Sequence, residues 1–172
     1  MTISVDINDQ DVFTAMRAYI ASIVGDAVEI IQGLDNDVPM PKGNFVVMTS
    51  LGMERLGTNL KAYNSVNQTA TITTPYKYNI QLDFYGSDSQ KWAAAVKALF
   101  FDDYAVSQFP DNIAPLYMDD AVQMALINGE QQYEQRWRVS TYLQYNPSIT
   151  VTQQSATSID VGLYPIDVLQ PN

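Results

Sequence analysis

The chain has 172 residues, of which 47% are apolar and 16% charged, and its 19 acidic against 9 basic residues leave a net charge of −10. One hydrophobic core is what this length supports, so a single domain over residues 1–172 is expected. The absence of cysteine and histidine excludes disulfide frameworks, thiol nucleophiles, Ser-His triads and imidazole or thiolate metal sites, and the acidic balance disfavours binding that depends on Lys and Arg at phosphates.

Along the chain, Asp9 or Asp11 can cap a helix in which Val12, Met16, Tyr19, Ile20 and Ile23 recur at helical spacing up to Gly25. The next stretch, GLDNDVPMPKGN, has loop composition, and Phe45 to Met53 reads as a strand. Thr69 to Gly86 alternates as a long strand, with Ile72, Tyr76, Tyr78, Ile80, Leu82 and Phe84 opposite Thr71, Thr73, Lys77, Asn79, Gln81 and Asp83. Pro75 cannot donate to a ladder, so that part belongs at an edge or bulge. Ser87-Asp88-Ser89-Gln90 has capping-box form ahead of a helix with Trp92, Val96, Leu99 and Phe100 on one stripe.

Asp102 to Pro115 reads as irregular and Val122 to Ile127 as a strand, followed by the turn dipeptide Asn128-Gly129. Beyond it, Tyr133, Trp137, Val139, Leu143 and Tyr145 share one parity, while Glu134, Arg136, Arg138 and Gln144 share the other. That is a long strand with an apolar face and a hydrogen-bonding, mainly basic face. If the turn closes a hairpin, Leu116–Ile127 and Glu130–Tyr145 pair antiparallel. Ile149 and Val151, then Ile159, Val161 and Leu163, predict one or two short strands more. The sum is an α+β domain, an antiparallel or mixed sheet of four to six strands packed by two helices.

Charge is placed in blocks. Residues 1–40 carry seven acids and only Arg17, and residues 98–135 carry seven acids and no base. Residues 41–97 reverse the sign, with Lys42, Arg55, Lys61, Lys77, Lys91 and Lys97 against Glu54, Asp83 and Asp88. Such blocks suit head-to-tail contact between copies, or equally a solvated acidic surface. The low charge and abundant Asn, Gln, Ser, Thr and Tyr also suit a chain covered by neighbours, since these groups cost less to desolvate than ions. No leader-like N-terminus and no apolar run near about 18 residues occurs, so neither secretion nor membrane spanning is expected.

For catalysis only carboxylates remain: Asp102-Asp103, Asp119-Asp120, Glu130 and Glu134. Adjacent acids point apart on a helix or a strand, so each doublet lends a metal one ligand easily, and cap or loop roles are the plainer account. No phosphate-binding glycine motif is present. The many tyrosines read as core and contact residues rather than a stacking surface for single strands, which would want a basic groove. Arg55, Arg136 and Arg138 are open to two readings, ordinary exposed strand residues or guanidinium forks gripping carboxylates of an adjacent subunit near Asp102–Asp120.

Several segments together resemble the neck or tail-terminator proteins of contractile-tailed bacteriophages: Met53-Glu54-Arg55-Leu56-Gly57-Thr58-Asn59, Gln81 through Gly86, Pro115-Leu116-Tyr117 with Asp119-Asp120, Ile127 through Trp137, and Leu143 through Pro147. The resemblance implies a virion structural protein of the neck and tail, made in the host cytoplasm, with no cofactor and no catalytic residue. It implies a hexameric ring that caps the tail tube and sheath, docks to neck or connector proteins, lets genomic DNA pass without specific binding, and meets no membrane. Interface residues expected on this reading are Arg55, Lys77, Asp103, Asp119, Asp120, Glu134, Arg136 and Arg138. The alternatives are a tail-tube or head-tail connector protein, a carboxylate-metal hydrolase, or a monomeric binding module with the tyrosines as its surface. A ring would carry its acidic surplus on the inner wall.

Overall fold

The two alternating segments become the middle of the larger sheet. In this computed structural model, which describes residues 3–6, 8–34, 41–124, 126–127, 133–154 and 161–162, strands β6 (Tyr76–Tyr85) and β11 (Arg136–Tyr145) pair antiparallel over their full length, from Arg136↔Tyr85 to Tyr145↔Tyr76. β3 (Phe45–Arg55) lies antiparallel on the other side of β6, and β2 (Glu29–Gln32) runs parallel to β3. β7 (Ile113–Met118) and the short β8 (Val122–Gln123) pair with the far side of β11, giving a six-stranded mixed sheet.

Pro75 does more than mark an edge. The stretch expected as one strand is two, β5 (Thr69–Thr73) and β6, and they belong to different sheets. β5 sits between β4 (Leu60–Asn64) and β12 (Ser148–Thr152), with β1 (Ile3–Asp6) beyond β12, all antiparallel. The carbonyl of Pro75 accepts from Leu56 N–H at 2.9 Å, so the residue without a donor still anchors the crossing. β12 was expected from Ile149 and Val151; β1, β2 and β4 were not. Ile159 and Leu163 lie outside the described residues, and Val161 is in no strand.

β9 (Leu126–Ile127) and β10 (Tyr133–Glu134) pair antiparallel, as the expected hairpin requires, while Asn128-Gly129 itself lies outside the described residues. A break at Gln135, whose carbonyl accepts from Gly86 N–H at 3.0 Å, separates β10 from β11.

Three helices lie among the described residues. α1 (Asp9–Val24) is capped by Asn8, not by Asp9 or Asp11: Asn8 Oδ1 accepts from Gln10 N–H at 3.0 Å, and the two aspartates sit in the first turn beside the positive end of the helix dipole. α2 (Ser89–Phe100) starts after Asp88 and does not use the Ser87 side chain as a cap. Instead Asn44 clamps its entry, its Oδ1 accepting from Ser87 N–H at 2.9 Å and its Nδ2 donating to Asp88 at 2.8 Å. Gly86, at φ +93°, permits this close approach, since any side chain there would run into Asn44. α3 (Asp103–Gln108) falls in the stretch read as irregular; Asp102 caps it by accepting from Tyr104 N–H.

One parity of the large sheet and the helices share a single core. Val46, Met48, Tyr78, Ile80, Leu82, Phe84, Val139, Leu143 and Tyr145 meet Val12, Met16, Tyr19, Ile20, Val96 and Phe100, all buried. Each such large side chain contributes about 1.5–3 kcal/mol on burial. Tyr19 is fully buried yet satisfied, its hydroxyl donating to Val96 O at 2.7 Å while its ring packs edge-on to Phe100. Burial holds its phenol far above the usual range, so it stays neutral.

Candidate assembly surfaces

The other parity of the large sheet carries most of the polar candidates, because register places β3, β6 and β11 residues in rows across it. In the row Phe45–Tyr85–Arg136, the Phe45 and Tyr85 rings stack at 4.5 Å and the Arg136 guanidinium lies 5.5 Å from the Tyr85 centroid. Arg136 also donates from Nε to Asp83 Oδ1 at 2.9 Å, with Nη2 at 2.9 Å from the same oxygen as an ion pair, and Gln81 Nε2 donates to the other carboxylate oxygen at 2.6 Å. The Asp83 side chain is 4% exposed and that of Arg136 21%. Arg136 is therefore neither an idle surface residue nor a free fork: its own chain occupies it. The missed residue is Asp83, whose position opposite Arg138 in register and diagonal to Arg136 depends on pairing between segments about fifty residues apart.

Further along the same face, Lys77 bonds Glu54 at 2.7 Å and lies 5.8 Å from the Tyr142 ring centroid. Tyr142 stacks on Tyr117 at 4.3 Å and donates to Asp119 at 3.2 Å. The hydrogen bond with Lys77 holds the Glu54 carboxyl below the usual range, and the same bond raises Lys77. Desolvation, then the Asp119 charge, raises the Tyr142 phenol. Leu51, Met53, Glu54, Lys77, Asn79 and Tyr142 line an open depression of about 410 Å³.

The remaining candidates are spread over the surface. Asp120 pairs with Lys97 of α2, which lowers its pKa. Asp103 is exposed in the first turn of α3. Arg55, exposed, donates to Gly57 O and Asn59 Oδ1, both at 2.7 Å, and braces the β3–β4 turn. Arg138 approaches Met124 Sδ at 3.6 Å. Glu134, partly exposed, pairs in β10 with Leu126. The structure thus brings Lys77, Asp119 and the Tyr117–Tyr142 stack together, and leaves Arg55, Asp103 and Asp120 apart. Among the described residues no three Asp or Glu converge as a metal cluster would, and no helix is long and apolar enough to cross a membrane.

Exposed apolar side chains run from that depression along the outer half of β3 to the β4 region: Leu51, Met53, Leu56, Leu60, Tyr63 and Val66. Scattered apolar residues on a surface are ordinary, but a run this dense in one stretch of chain marks a contact region. A sheet whose polar face holds a buried ion pair, with exposed apolar residues beside it, suits a subunit that assembles with others.

Residues 10–167 match the family described as phage neck terminator protein, and the chain belongs to that family. It is a structural protein of the phage neck and tail, a tail terminator. Comparison with curated protein sequences returns no match. Among solved structures, the fold is similar to the sheath/tube terminator of an extracellular contractile injection system in its extended state, with a TM-score of 0.58 and 9% identity. That likeness covers 95% of this chain and 66% of the other, so the chain spans just under two thirds of its neighbour's length.

Proposed function

We propose that the protein closes into a hexameric ring at the head-proximal end of a contractile tail, where it ends tube and sheath growth and offers a docking face to neck or connector proteins. The family match over nearly the whole chain carries this reading, and the terminator fold of its structural neighbour supports it. Its work on this reading is geometric and not enzymatic. A ring presents one face that fits the last tube and sheath subunits and a second face that does not repeat the first, so polymerisation stops. Carboxylates support that reading by being engaged one at a time, Asp83 by Arg136, Asp119 by Tyr142, Asp120 by Lys97 and Asp102 as a cap.

A subunit contact on this reading joins Arg55, at the end of β3, to acidic surface around Asp103, Asp119 and Asp120. β3 and β7 stand on opposite sides of the β6–β11 pair, which separates Arg55 from Asp119 and Asp120 along the sheet as head-to-tail contact requires, although Lys97 already pairs with Asp120 within the chain. DNA would pass without adhering, since the chain offers few cations to phosphates. Gold-labelled antibody on purified virions tests the position: label confined to one band at the neck is expected, and label repeated along the tail would make this a tube protein instead.

A further inference from the structure

The four-stranded sheet ends in two edges that are unpaired among the described residues. β4 pairs with β5 alone and β1 with β12 alone. Every residue of β4 is exposed, including Leu60 at 69% and Tyr63 at 42%. An open edge is a template for another strand, and proteins ordinarily blunt it with proline, bulges or clustered charge. β4 has Lys61 as its one charge and neither proline nor bulge.

Strand sense and charge both point to the occupant. Four successive antiparallel strands leave β1 and β4 running in opposite directions. When copies are related by rotation about an axis along the strands, β4 of one therefore meets β1 of the next antiparallel, the better hydrogen-bonded arrangement. An odd number of strands would have forced a parallel junction. The lengths agree, five residues against four. Residues 55–82 hold Arg55, Lys61 and Lys77 with no acid, whereas residues 1–16 hold Asp6, Asp9 and Asp11 with no base. Opposite charge thus favours β4 against β1 and disfavours β4 against β4.

We propose that β4 of one protomer adds to β1 of the next, so that the four-stranded sheets join head to tail into one barrel that lines the ring; this rests on the ring reading above. The two faces of that barrel follow from register. Rows Ser4–Thr150–Thr71–Ala62 and Ser148–Thr73–Leu60 fall on one side, and rows Ile3–Val151–Ala70–Tyr63 and Ile149–Ile72–Lys61 on the other. On the Ile and Val side Ala70 is fully buried, while Ile3 and Tyr63 remain exposed. The hydroxyl side, where Thr71 and Thr150 bond at 3.3 Å, is the one this proposal turns toward the axis. The wall of the passage is then Ser and Thr with Leu60 and Ala62, neutral where an acidic lining was expected, and still a surface with nothing to hold a phosphate. Four strands from each of six copies, at ~4.8 Å spacing and about 40° tilt, close a barrel about 48 Å across between backbones. Duplex DNA passes through such an opening.

The absence of cysteine gives a clean background for testing this contact. Direct continuation of the rows would set Ala62 opposite Ser4 of the next copy and Tyr63 opposite Ile3, within disulfide reach. Phage tails carrying Ala62→Cys with Ser4→Cys, or Tyr63→Cys with Ile3→Cys, are oxidised mildly and run on a non-reducing gel. Pairs offset by two residues, Leu60→Cys or Asn64→Cys with Ser4→Cys, allow for stagger around the barrel. The expected result is a ladder of covalent oligomers for at least one double variant, lost on reduction, with single variants monomeric. Rings visible on the same tails but no ladder from any pair, or only an internally cross-linked monomer, would overturn the edge contact while leaving the ring. Tails with no ring of this chain overturn the ring reading itself, and micrographs report that outcome separately.

Discussion

Replacing Asp83 with alanine strands the Arg136 guanidinium on a half-covered sheet face. The side chain is 4% exposed, accepts one hydrogen bond from Arg136 and one from Gln81, and has the rest of the guanidinium 2.9 Å away. Removing one partner of a fully buried pair costs about 3–5 kcal/mol, because the other charge is left without compensation. Arg136 keeps 21% exposure and its contact with Tyr85, so water and the ring recover part of that; about 2–3 kcal/mol remains as the expected loss. In a domain of this size that lowers Tm by roughly 4–12 °C. Urea unfolding of the isolated protein measures it, with Arg136→Ala and the double variant completing a cycle. The double variant is expected to be less destabilised than the sum of the singles by at least about 1 kcal/mol. Additive losses within about 0.5 kcal/mol would refute the argument, since they would show that the two side chains do not hold each other.

Four other outcomes are expected. Asn44→Ala releases the entry of α2 and lowers stability by about 1–2 kcal/mol in denaturant titration, as loss of a cap does. Tyr19→Phe removes the donor to Val96 O and lowers stability by about 1–1.5 kcal/mol with the core otherwise filled. Lys77→Met raises the Glu54 carboxyl pKa toward its ordinary 4.5, read by NMR titration of the side-chain carbon. Because Glu54 is depressed in the folded chain, any stability it lends is present above pH 4.5 and fades as pH falls through the folded value, so the variant and the parent converge in acid. Lys61→Glu leaves monomer stability within about 0.5 kcal/mol, as surface changes usually do, but reduces assembly onto tails in a complementation assay.

Period-two patterning was enough to place β6 and β11, because both strands bury one whole face under the helices and any register slip would expose it. The same patterning could not show that Asp83 is buried on the opposite face. Its cover comes from Arg136 and from its row neighbours Arg138 and Val47, all brought in by register. Pro75 was legible as an interruption, yet nothing local says that the chain leaves one sheet for another there. β4 went unseen because LKAYN has no alternation to bury; all five residues are exposed, and its strand form comes from pairing with β5. α3 is six residues, too short for a periodic stripe, although Asp102 could have been read as its cap. Of the candidate site, the charge blocks were legible from composition, but which arginine was already spoken for was not. Arg55 and Arg136 look alike in sequence and differ wholly in partner, one bracing a turn and the other holding a buried carboxylate.

Termination of the tail is the central claim, and deleting this reading frame from the encoding phage tests it most directly. Electron micrographs of the lysate are expected to show tails of uncontrolled length beside separate, DNA-filled heads, with complementation restoring joined virions of one tail length. Normal joined virions from the deletion would contradict the account.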